Sequence, residues 1–180
     1  FAEPEESTLI EIGLKAELDR ASINVALFDQ EIEGFQSNIF RGAGFNLANA
    51  GKQTTQGLEV EALIVPNDNR QFTVAANFLD PIYDSFIGAE GPDGPTDLSG
   101  TAPGGIHEES IVLGLTRYWS AGGIDGFFRA DYLYESDVLV VENVLADIAT
   151  REVGALNVSV GFNLNDWQIR VWGRNLFEDD

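Results

Sequence analysis

Thr8-Leu9-Ile10-Glu11-Ile12-Gly13-Leu14-Lys15-Ala16-Glu17-Leu18 alternates residue by residue. Ile10, Ile12, Leu14, Ala16 and Leu18 form one set; Glu11, Gly13, Lys15 and Glu17 form the other. A helix would mix the two sets, whereas an extended strand places them on opposite faces. The run therefore predicts a strand with one apolar and one polar side. Asp19-Arg20 leaves room only for a tight reversal, and the pattern then resumes, with Ala21, Ile23, Val25 and Leu27 against Ser22, Asn24, Ala26 and Gln30.

Six further segments read the same way. Leu58, Val60, Ala62 and Ile64 oppose Thr55, Gly57, Glu59 and Glu61; Phe72, Val74, Ala76 and Phe78 oppose Thr73 and Asn77. Ile111, Leu113, Leu115 and Trp119 oppose Ser110, Gly114, Thr116 and Tyr118; Phe128, Ala130, Tyr132 and Tyr134 oppose Arg129, Asp131 and Glu135. Leu156, Val158, Val160 and Phe162 oppose Asn157, Ser159, Gly161 and Asn163, and Trp167, Ile169 and Val171 oppose Gln168, Arg170 and Arg174. Each run has roughly the 9–11 residues that a tilted strand needs to cross a bilayer.

The connections alternate in length. Asp19-Arg20, residues 66–70, residues 120–125 and Asn165-Asp166 are tight, while 31–52, 80–107 and 136–150 are long. Outer-membrane barrels keep short turns at one end and long loops at the other; a soluble sandwich has no such reason and usually uses Greek-key crossovers. Aromatics near strand ends on the apolar face (Phe72, Phe78, Trp119, Tyr134, Trp167) suit interfacial girdles. The expected fold is an all-β, antiparallel up-and-down meander of about eight strands, a transmembrane barrel wall rather than a sandwich. Glu11, Lys15, Glu59, Glu61, Arg129, Asp131, Arg170 and Arg174 then line its lumen.

Composition narrows the function. With 30 acidic and 10 basic residues the chain carries a formal charge of −20, the wrong sign for phosphate backbones, so nucleic acid is excluded as a partner. Cysteine is absent, which excludes disulfides and thiolate chemistry. Mean hydropathy near zero fits strands that show lipid only every second residue. Phe1 to Glu6 carries acids where a signal peptide would be basic, so for a membrane protein a processed chain or a fragment is expected.

No enzyme site emerges. His107 is the single histidine and cannot build the usual zinc site without cysteines; Ser7, Ser110 and Ser159 have no histidine in register. Glu59 and Glu61 lie two apart on one strand face and read as lumen charges balanced by Arg129, Arg170 or Lys15 rather than as an acid–base pair. Asp80, Asp84, Glu90, Asp93 and Asp97 lie in a loop rich in glycine and proline but lack EF-hand spacing, so they read as solvated acids. Gly104-Gly105 and Gly122-Gly123 are turn residues. The expectation is no catalytic residue, metal or cofactor, and a substrate site not readable from the residues.

Four stretches together resemble one family. Val171-Trp172-Gly173-Arg174-Asn175-Leu176-Phe177-Glu178-Asp179 resembles the "NLFD" element near the C-terminus of TonB-dependent outer-membrane receptors. Asn49-Ala50-Gly51-Lys52 followed by Gln56-Gly57-Leu58-Glu59-Val60-Glu61 is similar to that family's "NAG…GLE-E" strand. Glu11-Ile12-Gly13-Leu14-Lys15 resembles its "ELGLK" strand, which a phenylalanine-bearing strand, here Leu27-Phe28, then follows. Asp97-Leu98-Ser99-Gly100 with Ala102-Pro103 resembles the loop before another late strand.

The resemblance makes residues 1–180 a C-terminal portion of a barrel of about 22 strands around a plug, with the plug, the early strands and the final strand lying outside it. It implies TonB-energised uptake of a scarce solute (an iron chelate, a cobalamin or a glycan) through the outer membrane of a Gram-negative bacterium. The implied partners are outer-membrane lipid, the plug and remaining strands, the TonB complex through the plug alone, and a small molecule at the extracellular loops. Two other readings stay open at this stage. One is a self-contained eight-stranded barrel serving as adhesin or anchor, and the other a soluble acidic β-sandwich binding module.

Overall fold

The computed structural model describes residues 2–41, 44–91, 94–140 and 150–177. Nine strands follow one another: β1 (Glu6–Leu18), β2 (Ala21–Arg41), β3 (Gly44–Asn67), β4 (Arg70–Gly91), β5 (Gly94–Asp97), β6 (Glu109–Ala121), β7 (Ile124–Leu139), β8 (Thr150–Leu164) and β9 (Trp167–Gly173). They form a single antiparallel meander in the order β1-β2-β3-β4-β6-β7-β8-β9, with β5 a short return strand on β4. The sheet is open, because among the described residues β1 and β9 share no ladder. The self-contained barrel needs that closure, and the sandwich needs a second stacked sheet, so neither describes this chain.

Pairing register sets the two faces, since residues directly opposed across a ladder point the same way. Leu14 opposes Val25, Val25 opposes Val60, Val60 opposes Ala76, and Ala76 opposes Ile111. Leu113 opposes Tyr132 and thence Leu156, while Ile169 opposes Phe162. Ile10, Leu14, Val25, Val60, Leu113, Val158 and Ile169 therefore share one face, as the alternation predicts. Glu11, Glu59, Glu61, Arg129 and Arg170 share the other. No protein layer covers the apolar face: Ile10, Ile12 and Leu14 are 71, 73 and 64% exposed. A contiguous apolar surface of this kind is what lipid covers.

The long connections differ from expectation. Residues 31–41 and 44–52 are strand, pairing out to Arg41 opposite Gly44, and β4 continues to Gly91. Gly34 hid this extension. It takes φ 65° at a bulge between Glu33 and Phe35, and one extra residue moves the alternation out of phase, so Ile32 and Phe35 come to share a face. In the third connection β7 runs to Leu139, and residues 141–149 lie outside the described ones. Arg174, expected mid-strand, falls just beyond β9, which ends at Gly173.

Ladder irregularities are unevenly placed. They occur at Glu33/Phe35, Phe35/Gln36, Lys52/Gln53, Ile87/Ala89 and Glu135/Val138, all towards the long-hairpin end, and at Ile64/Asn67 beside a tight turn. Away from them the register runs unbroken, for example from the start of the β7–β8 ladder, Asp125 opposite Asn163, to Glu135 opposite Val153.

The buried core sits on the charged face's side, above the apolar band. Phe35 stacks on Tyr83 at 5.1 Å, and both meet Phe86 edge-on at 5.2 and 5.0 Å. Ile32, Ala50 and Leu98 complete the cluster. Asn49 and Gly51 of the "NAG" stretch fix its position. The Asn49 amide donates to the carbonyls of Gly34 (2.6 Å) and Glu3 (2.9 Å) and its oxygen accepts from the Glu3 amide (2.7 Å). Gly51, at φ 145°, lies so close to β4 that an added Cβ would stand 2.0 Å from the Ser85 carbonyl oxygen.

Candidate functional site

The polar face carries the chemistry-bearing side chains, in two separate groups. On β1–β3, Glu11, Lys15, Asn24, Glu59 and Glu61 surround a recess of about 230 Å³, and the Asn24 amide donates to Glu61 at 3.3 Å. On β7–β9, Arg129 holds Asp131 through two parallel bonds, Nε to Oδ2 at 2.7 Å and Nη2 to Oδ1 at 2.6 Å. This fork geometry is the strongest form of guanidinium–carboxylate pairing. Arg170 donates to the Ser159 hydroxyl at 3.2 Å and lies over the Phe127 ring at 5.7 Å.

This corrects the expected charge balance. Glu59 and Glu61 are not neutralised by Arg129 or Arg170, because β4 and β6 separate β3 from β7 and Arg129 is taken by Asp131. Lys15 is the cation that shares their recess.

Above the apolar band the outer face turns polar. Gln56 donates to Asp29 at 2.9 Å, with Asp80 next in the row opposite Gln56. Higher still, Lys52 and Glu31 form an ion pair at 2.7 Å; hydrogen bonding to Glu31, with the neighbouring carboxylates adding to it, raises the Lys52 pKa. Asp80 and Asp84, read as loop acids, are thus strand residues, Asp84 accepting from the Thr54 hydroxyl. Asp97 accepts from the Ser99 hydroxyl at 2.5 Å and the Ser99 amide at 2.9 Å, and both bonds lower its pKa. Glu90 and Asp93 carry side chains outside the described ones.

His107 sits at a loop–strand junction, as expected, and there it makes a structural contact. Its Nδ1 lies 2.5 Å from the Ser136 carbonyl, which can only accept, and its Nε2 is 3.5 Å from Glu135. The same connection bonds to β4 through Leu98 N to Phe86 O and Gly100 N to Tyr83 O, and to β7 through Gly105 N to Leu139 O. Residues 98–107 thus fill the gap left where β6 is shorter than β4 and β7. Sequence reading missed this strap and the aromatic cluster beneath it, because Tyr83 and Phe86, three apart, share a face only through the bulge opposite Lys52 and Gln53.

A one-layer sheet with bare apolar residues outward and charges inward defines a section of transmembrane β-barrel wall. The chain belongs to the TonB-dependent receptor-like β-barrel family, whose model matches residues 2–176. That family comprises outer-membrane uptake receptors rather than enzymes. No curated protein matches the chain. Among solved structures it is similar to the ferric yersiniabactin uptake receptor FyuA from Yersinia pestis, at 16% identity and TM-score 0.76, over 97% of this chain and 25% of that one. It is also similar to BauA, the ferric preacinetobactin receptor of Acinetobacter baumannii, at 14% identity and TM-score 0.68, over 94% of this chain and 25% of that one. The FrpB iron transporter from Neisseria meningitidis matches at 14% identity and TM-score 0.58, over 90% and 25%. The chain spans about a quarter of each of these proteins.

Proposed function

We propose that this chain is the C-terminal part of the barrel of a receptor that imports a ferric chelate across the outer membrane of a Gram-negative bacterium. The observation that carries the reading is the register itself, which turns an apolar row to lipid on every long strand and a polar row, charged on β1, β3, β7 and β9, to the lumen. A wall of this kind needs a plug to seal it. The receptor's plug and remaining strands are therefore its partners, and TonB reaches it through the plug. The long hairpins β2–β3 and β4–β5 stand beyond the apolar band and are the elements placed to meet a small solute arriving from outside. The ferric class is favoured over a cobalamin or a glycan because two of the similar structures are receptors for ferric chelates and the third is an iron transporter.

The test is uptake of radiolabelled iron, presented as chelates, by iron-starved cells carrying or lacking the full receptor gene. Loss of uptake on deletion, restoration by the gene, and loss again when TonB is inactivated is the expected outcome. Unchanged iron uptake with lost cobalamin or oligosaccharide uptake overturns the substrate class. Uptake independent of TonB overturns the reading as a whole.

A further inference from the structure

We infer that the lumen wall formed by β8 and β9 holds a binding site for a small oxyanion, a carboxylate or a phosphate, built around Arg170 and Arg174. Among the described residues neither guanidinium pairs with a carboxylate, in a chain with three times as many acids as bases. Both border one recess of about 370 Å³, together with Asn157, Ser159 and Trp172. Asp131 also borders it, but its two oxygens are already held by Arg129 at 2.7 and 2.6 Å. A recess of that size suits a small polyatomic solute.

The two guanidiniums are held rather than free. Phe127, Gly161 and Arg170 lie in one row across β7, β8 and β9. The glycine leaves the Phe127 ring room to lie across the strand, so Arg170 reaches over it to the ring at 5.7 Å. Ser159, 5% exposed, takes one of its Nη2 hydrogens at 3.2 Å. Arg174 lies over Trp172 at 5.0 Å. A cation held over an aromatic face keeps its position while its N–H groups stay open to an acceptor, and the guanidinium fork matches the oxygens of a carboxylate or phosphate. Asn157 adds a donor. Its oxygen accepts from the Asn175 amide at 3.1 Å, so its NH₂ group is not used in that bond, and the residue lines the recess. The site depends on this face being the lumen wall, and it is independent of which metal chelate the receptor carries.

The experiment is isothermal titration of the full detergent-solubilised receptor with citrate, and separately with inorganic phosphate. Saturable binding is expected for at least one of them. Arg170→Gln with Arg174→Gln should weaken it about tenfold or more, as loss of charge-assisted hydrogen bonds does, while Arg117→Gln, which removes a positive charge from the outer face, should leave it unchanged. Arg170→Lys keeps the charge and the fold, and should weaken binding several-fold by removing the fork. Absence of saturable binding, including the case in which a carboxylate of the receptor itself fills the recess, overturns the assignment. So does equal affinity in the Lys variant, or an equal loss in the Arg117 variant.

Discussion

At the scale of single residues, the side a residue faces decides what a substitution does. Val158 opposes Ala130 and Gly173 on the apolar face, in the middle of the run from Leu156 to Phe162. Replacing it with arginine puts a charge into lipid, and the full receptor should lose about 2–4 kcal/mol of stability, read by urea unfolding in vesicles. Gly51→Ala should cost roughly 1–3 kcal/mol, because the new Cβ meets backbone rather than a movable side chain and the residue's φ suits only glycine. Hydrogen exchange in β3 and β4 around Ser85 should rise with it. The facing was legible in the sequence because period-two alternation survives throughout the apolar band. The ion pairs were not: that Arg129 bonds its strand neighbour Asp131 rather than Glu59 depends on which strands lie between, and a linear pattern does not carry that distance.

At the scale of elements, surplus strand is the main finding. β3 has 24 residues, against about ten needed to cross a bilayer, so more than half of it stands in water. There both faces are wetted, alternation is no longer enforced, and bulges such as that at Gly34 shift its phase, which is why residues 31–52 and 80–91 read as loop. Where the sequence did mark the element, as in Asn49-Ala50-Gly51, it did so through a side chain bonded to a bulge carbonyl and a glycine under a neighbouring strand. The strap over residues 98–107 is pinned at its start by the Asp97–Ser99 turn. A carboxyl whose pKa is depressed in the folded state stabilises above its unfolded value, here the usual 3.8, and loses that contribution as pH falls through the lower folded value. Corrected hydrogen-exchange rates over 97–101 should therefore rise on acidification below about pH 3.8. Asp97→Asn should remove that pH dependence while raising exchange at neutral pH.

At the scale of the molecule, the open sheet leaves two edges, β1 and β9, whose outward backbone groups have no strand partner among the described residues. Unpaired groups in lipid cost several kcal/mol each, and free edges template association. The isolated 180-residue chain should therefore aggregate in detergent, read by light scattering, and give no discrete conductance in planar bilayers. A monodisperse, heat-modifiable monomer would contradict this. The same rule about backbone groups bears on where the ladder departs from regularity. Hydrocarbon tolerates no skipped hydrogen bond, whereas water fills one readily, so the bulges keep clear of the apolar band. The undisturbed stretch from Asp125 to Glu135, about eleven residues at ~3.3 Å each and tilted by ~40°, rises roughly 28 Å. The distance from the tight-turn end of the ladder to its first defect thus makes the wall a gauge of the bilayer it was selected for, readable without any lipid in view.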